Sequence, residues 1–253
     1  MVFLHLVWVV GLLVFGVFSL SGFSGPVMSA QARFAPSQTS EAPMVPVTFE
    51  QRCEAELAPT TVAVVWEPSR MVFDHTRSIQ QLSRDGKSSP GHVVLGLTQS
   101  TLGSQFTFGM NAITDPVSGR TCMRPQIAVR ASAGTQKVFV ASEFPKGSCA
   151  YQSVLDHELM HARVNDEQAL FTARRVEAEI MRSLGKRIFY GTREELEGYL
   201  ATAIRDHWAP MANKDFARVE TDHAHIDSPG ENRRVMASCN GELARHALLA
   251  ARS

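Results

Sequence analysis

Residues 151–184 read YQSVLDHELMHARVNDEQALFTARRVEAEIMRSL, and this stretch decides the architecture. It holds neither glycine nor proline, so nothing in it breaks a helix, and Gly185 follows as a stop. A single helix of about thirty residues is expected. Inside it, Asp156-His-Glu-Leu-Met-His-Ala162 sets His157 and His161 one turn apart on one face, with Glu158 one step round. Two imidazoles placed this way can reach a single metal ion, and the adjacent carboxylate can take a proton from water bound to it. His157 and His161 are therefore the expected metal ligands and Glu158 the expected catalytic base.

A catalytic zinc site normally has three protein ligands. Glu177 and Glu179 lie further along the same stretch, but sixteen residues at 1.5 Å each puts Glu177 about 24 Å beyond His161 on an unbroken helix. The third ligand must come from a segment that turns back. Lys186 to Gly191 supplies the connection, and Thr192 with Glu195 forms a capping box that opens a second helix. Pro210 should kink or break that helix near His207 and Trp208. A third helix is expected after Ser228-Pro229-Gly230, interrupted near Gly241. Counting the rise back from the turn, an antiparallel helix regains the level of His157 and His161 at about residues 216–220. The run Glu220-Thr-Asp-His-Ala-His-Ile-Asp227 begins there. His223 is the expected third ligand, followed by Glu220, Asp227 and His225.

Upstream of the long helix the periodicity changes. Residues 61–66 are β-branched and apolar, residues 92–98 alternate Val93, Leu95 and Leu97, and Phe106, Phe108 and Met110 alternate with Gln105, Thr107 and Gly109. Runs around Ile127 and Val129, and around Val138 and Val140, follow. The order predicts an α+β fold: an N-terminal antiparallel β-sheet, then the long helix packed with antiparallel C-terminal helices. Pro125 argues for an edge position of its strand, because proline cannot donate to a ladder. Ala133-Gly134 reads as the tip of a hairpin.

The first 28 residues carry no formal charge and are dominated by Val, Leu, Phe, Trp and Gly. Residues 1–32 are expected to be a signal peptide cut after Ala32, or an uncleaved membrane anchor. Residues 33–47, rich in Pro, Ser and Ala, read as a tether, and residues 48–253 as one domain, strand-rich over 48–148 and helical over 149–253. The expected location is periplasmic or secreted, with membrane contact only through the N-terminal segment. Four cysteines with no C-x-x-C pair fit disulfides in an oxidising compartment. Three connectivities exist; the hairpin reading pairs Cys122 with Cys149 and leaves Cys53 with Cys239. At 44% hydrophobic and 20% charged, with 25 basic and 25 acidic residues, the 253-residue chain has globular composition and no net field to favour nucleic acid as partner.

At His157, Glu158 and His161 the chain resembles the zincin metallopeptidases, looking like uncharacterised secreted zinc-dependent proteases of bacteria. Val164 stands where the metzincin pattern has glycine, so that subclass does not fit. The resemblance implies Zn²⁺, for which imidazole ligands are suited, and hydrolysis of a peptide or protein substrate with Glu158 as general base. It also implies an edge strand above the cleft, for which the Pro125 or Val138 run stands by order. Tyr199 or a histidine of the 223 to 225 pair would be placed to stabilise the oxyanion. Two other readings compete: a non-catalytic envelope protein carrying a remnant H-E-x-x-H helix, and a zinc amidase acting on cell-wall peptides.

Overall fold

The computed structural model describes residues 47–86 and 93–252. The expectations for residues 1–32, and for all of the tether but Val47, lie outside the described residues.

The long helix is present as α3, Cys149–Leu184, 36 residues and about 54 Å of rise. Ser148 caps its start by accepting from the Tyr151 N–H, and the Gly185 N–H closes its last turn on the Met181 carbonyl. Val154, Glu158, Ala162, Asn165, Ala169, Ala173, Val176, Ile180 and Leu184 recur at helical spacing and are all buried. Three of them are alanines, which let neighbouring elements close on the helix axis.

The elements before α3 are α1 (Phe49–Glu56), β1 (Thr61–Val65), β2 (Arg70–Asp74), α2 (Ile79–Asp85), β3 (Gly96–Gln99), β4 (Gly103–Thr114), β5 (Thr121–Ser132) and β6 (Thr135–Val140). The α+β class stands, but the single antiparallel sheet does not. Two mixed sheets form instead. One runs β1-β5-β4, with β5 also pairing β7 (Phe189–Gly191); the other runs β2-β6-β3. β1 lies parallel to β5 and β2 parallel to β6, while the remaining pairs are antiparallel. Strand periodicity carries no signal for such non-local parallel pairs, and adjacency in sequence misleads here.

The decisive point is Ala133-Gly134. Gly134 has φ of 65°, a conformation that favours glycine, but the chain does not fold back on itself there. It leaves one sheet at the end of β5 and enters the other at β6. The expected hairpin is thus replaced by a crossover, and the disulfides deduced from it are corrected with it. Cys53 pairs with Cys122 and Cys149 with Cys239. The first pins α1 to β5 in a small cluster with Leu57. Pro125 is also corrected: its strand is central, between β1 and β4. β7 pairs with residues 121–123 and β1 with residues 126–130, so Pro125 faces the gap between them and its missing N–H interrupts no ladder on that flank.

Each sheet covers one half of α3. Met123, Ile127 and Val129 of β5 pack with Ala169, Ala173, Val176 and Ile180. Phe139 and Val140 of β6 pack with Ala150 and Val154, together with Ile79 and Leu82 of α2.

After α3 the chain retraces it. α4 (Arg193–Ala203) opens with the expected Thr192–Glu195 capping box. A five-residue π-helical turn, Ile204–Trp208, precedes α5 (Ala209–Phe216), which carries Pro210 in its first turn, where proline is tolerated. Then come α6 (Val219–Ile226) and α7 (Pro229–Ala250), the latter broken at Ser238 to Gly241 as its glycine predicts. Contacts mark the return step by step: Gln168 donates to the Asp215 carbonyl, His161 meets His223, His157 meets Asp227, and Cys149 is bonded to Cys239. The level of His157 is regained a few residues later than counted, because the π turn and the breaks around α6 use up chain. No described helix is long and apolar enough to cross a membrane.

Candidate metal centre

His157 and His161 project from one face of α3 with ring centroids 5.0 Å apart. Their Nε2 atoms lie 3.2 and 3.1 Å from the same oxygen, Asp227 Oδ1. Asp227 closes α6 just before the Ser228 cap of α7, and its carbonyl accepts from the Asn232 side chain at 3.0 Å. The histidine side chains are 11 and 12% exposed and the aspartate 53%, so the cluster has a buried floor and an open rim.

Among the described residues, His157, His161 and Asp227 are the group able to hold a metal ion. Ligands about 2.0–2.1 Å from a tetrahedral ion stand about 3.4 Å from one another, close to the separations from Asp227. The donor set, two imidazoles and a carboxylate, suits zinc and tolerates other borderline metals. A second sign is the buried His157 Nδ1, which has no hydrogen-bond partner and lies 3.7 Å from Glu231. An ion on Nε2 would give that N–H a carboxylate at its back, the usual outer arrangement for a ligating histidine.

His223, the expected third ligand, stands one layer back. Its Nδ1 is 2.9 Å from Nδ1 of His161, on the side of that ring turned away from Asp227, and its Nε2 is 3.0 Å from Asn165 Oδ1. Asp227, third in the expected order, takes the place facing both Nε2 atoms. Glu220 lines the adjoining cavity. His225 is not brought in: it donates from Nδ1 to the Thr221 carbonyl and lies in a separate shallow depression with Gln168 and Phe171. Tyr199 is also elsewhere, exposed on α4 with its ring tilted against Phe189.

Glu158 is buried beside the two histidines. Burial pushes its carboxyl above the ordinary value, against the opposing pull of His161, the Thr98 hydroxyl and His157. Thr98 Oγ1 lies 2.9 Å from both Oε2 and the backbone carbonyl of Glu158, and its single proton serves one of them at a time. Thr98 belongs to β3, so the strand beside the H-E-x-x-H turn is neither the Pro125 run nor the Val138 run. β3 lies at the edge of its sheet. It comes this close because residue 96 is glycine: a Cβ there would stand 2.6 Å from Val154 Cγ1 and 2.7 Å from Glu158 Oε1. Thr98, Gly96 and Asn165 were missed from the sequence. Asn165 alone left a trace, as an amide four residues after His161 on the buried helix face.

The charges are coupled. For His157, burial pulls the ring down, but the Asp227 hydrogen bond and the charges of Glu158, Asp227 and Glu231 outweigh it, and the net shift is upward. For Asp227, burial works upward and the bonds to His157 and His161 overcome it, holding the carboxyl well below its ordinary range. His223 is lowered by burial first and by the charge of His161 next. Above the cluster opens a cavity of about 650 Å³, walled by Gly96, Leu97 and Thr98 of β3, Val154 of α3, and Val235 and Met236 of α7.

Comparison with protein-family models, with curated proteins and with solved structures finds no match to this chain.

Proposed function

We propose that this chain is an exported zinc-dependent peptidase of zincin-like arrangement, with His157, His161 and Asp227 holding the ion and Glu158 as general base. The observation that carries the reading is a buried carboxylate of raised pKa, set beside two Nε2 atoms converging on one aspartate at the floor of a cavity. Bound zinc supplies Lewis acidity, which makes water a nucleophile near neutral pH and polarises a carbonyl.

The chain's own residues do the rest. Glu158 takes the proton of the attacking water and passes it to the leaving amide nitrogen. A carboxyl pushed upward suits both halves of that task, since it must accept and release within one cycle. Thr98 steadies the carboxylate by donating to Oε2 and is free to swing to the carbonyl when Glu158 is protonated. β3 pairs only with β6 among the described residues, so its outer edge can take an extended peptide as an added strand, held by main-chain hydrogen bonds. Export fits the two disulfides, which persist in oxidising compartments.

The test is zinc content of the purified protein together with Glu158→Gln assayed on casein. The variant should retain zinc and lose about 10²- to 10⁴-fold in hydrolysis rate, the usual span for a general base. Absence of stoichiometric zinc, or hydrolysis indifferent to the substitution, overturns the reading.

A further inference from the structure

Behind His161 runs a file of buried polar side chains that the proposed chemistry does not use. Gln136 of β6 and Asn165 of α3 are both almost fully buried. Gln136 Nε2 lies 2.8 Å from the Ala162 carbonyl and 2.6 Å from Ser69 Oγ, while Asn165 Nδ2 lies 3.0 Å from Gln136 Oε1. Ser69 in turn donates to Asp166, from its hydroxyl at 3.1 Å and from its backbone N–H at 3.3 Å.

The direction of every bond in this file follows from one end. A backbone carbonyl can only accept, so the Gln136 atom against Ala162 is its NH₂, and its oxygen must face Asn165. Asn165 must therefore donate to Gln136, which turns its own oxygen toward His223. That oxygen also can only accept, so His223 carries its proton on Nε2 and, as a neutral ring, a lone pair on Nδ1. The neighbour of that lone pair is Nδ1 of His161. As a neutral ring, His161 must then hold its proton on Nδ1 and leave Nε2 bare toward Asp227; its bond to Asp227 belongs to the protonated ring, which carries both protons.

We infer that Gln136, Asn165 and His223 are a directional relay that sets the tautomer of His161, presenting its Nε2 lone pair to a divalent cation. His223 is thereby a positioning residue. The competing arrangement places the His161 proton on Nε2 toward Asp227. It would reverse the His223 bond and set the His223 Nε2 lone pair against the Asn165 oxygen. Flipping Asn165 to relieve this turns its oxygen against Gln136 Oε1, and flipping Gln136 as well turns that oxygen against the Ala162 carbonyl, so two acceptors meet in the interior, where water cannot repair them. Asp227 is half exposed, so solvent can satisfy it in either case. A bare Nε2 facing a carboxylate oxygen is itself an arrangement that a cation reconciles. The consequence for metal affinity rests on the proposed zinc site; the tautomer does not.

The experiment has two arms. In the metal-free full chain labelled with ¹⁵N-histidine, in buffer made alkaline until the ¹⁵N shifts themselves show neutral rings, long-range ¹H–¹⁵N spectra should show His161 as the Nδ1–H tautomer and His223 as the Nε2–H tautomer. His161 found as Nε2–H overturns the relay. In the second arm, Zn²⁺ affinity is measured by chelator competition for wild type, His223→Gln and His223→Leu. A side-chain amide can accept from His161 and donate to Asn165, so the glutamine variant should bind within a few-fold of wild type, and the leucine variant about 10- to 100-fold more weakly. Equal losses in both variants would overturn the positioning role and restore His223 as a direct ligand. A wild type that takes up no Zn²⁺ would sink the metal reading, leaving the tautomer spectrum to decide the relay.

Discussion

Asp227 Oδ1 lies 3.1 Å from His161 Nε2, across 66 residues of sequence. Among the described residues it is the nearest that the returning chain brings a carboxylate to the Nε2 side of the H-E-x-x-H helix, and on the proposed zinc site it ranks the residues of the Glu220 to Asp227 run. Asp227→Ala should weaken Zn²⁺ binding by more than about 100-fold, beyond the range of outer-layer losses. Glu220→Gln and His225→Ala should leave it within a few-fold. Chelator competition at neutral pH checks the order; an Asp227→Ala protein that binds like wild type would remove the aspartate from the site.

Gly96 governs how closely β3 approaches Glu158. A methyl group there meets Val154 and Glu158 well inside contact distance, and Val154 is itself buried in the core. Gly96→Ala should cost about 1–3 kcal/mol in urea unfolding, the range for overpacking, and should depress hydrolysis by displacing Thr98 from Glu158. Gly103→Ala is the control: nothing lies within 4 Å of its added Cβ, and it should fall within about 1 kcal/mol of wild type. Equal effects at the two positions would mean that β3 yields freely.

The elements of this fold were legible wherever one local rule decided them. An absence of Gly and Pro gave α3, Thr192 with Glu195 gave the start of α4, and Gly241 gave the break in α7. The return of the chain to His157 was legible too, because helix rise converts residue number into distance. Pairings settled by tertiary packing were not. The Ala133-Gly134 turn looks the same locally whether the chain folds back or crosses to another sheet, and the disulfide assignment fell with that one choice. The run from Glu220 to Asp227 was legible as the segment that returns to His157 and His161, but which of its residues faces the Nε2 atoms depends on the phase of a helix only eight residues long. Thr98 and Gly96 act through the approach of a strand edge to a helix, and residue order does not encode that contact.

The two disulfides should differ in what they protect. Peptide mapping without reduction should recover Cys53 linked to Cys122 and Cys149 linked to Cys239. The second joins the first turn of α3 to the break in α7, and α7 starts immediately after Asp227 and carries Glu231. Replacing Cys149 and Cys239 by serine should cost about 2–5 kcal/mol and also weaken zinc binding, because the segment holding Asp227 loses its tie to the helix holding His157. Replacing Cys53 and Cys122 should cost similar stability with zinc affinity nearly unchanged in the folded fraction. Equal affinity losses in the two double variants would separate the Cys149–Cys239 bond from the site.

The charge coupling predicts how stability of the metal-free protein depends on pH. Asp227 is depressed below its ordinary 3.8, so its contribution is present above that value and is lost as pH falls through the lower folded value. His157 is raised above 6.5, so its contribution is complete below 6.5 and is lost as pH rises through the higher folded value. The two describe one ion pair, whose stabilisation is therefore greatest between 3.8 and 6.5. Glu158, raised above 4.5 chiefly by burial, which Asp227→Asn leaves in place, and last and least by the Asp227 charge, adds stability that fades as pH climbs through its folded value. Thermal unfolding of wild type and Asp227→Asn in chelator should thus differ most inside that window and converge on both sides. A difference independent of pH would break the assignment. Adding zinc should reverse the upper limb: the ion binds deprotonated imidazole, so its stabilisation grows as pH rises through the range in which the metal-free pair weakens.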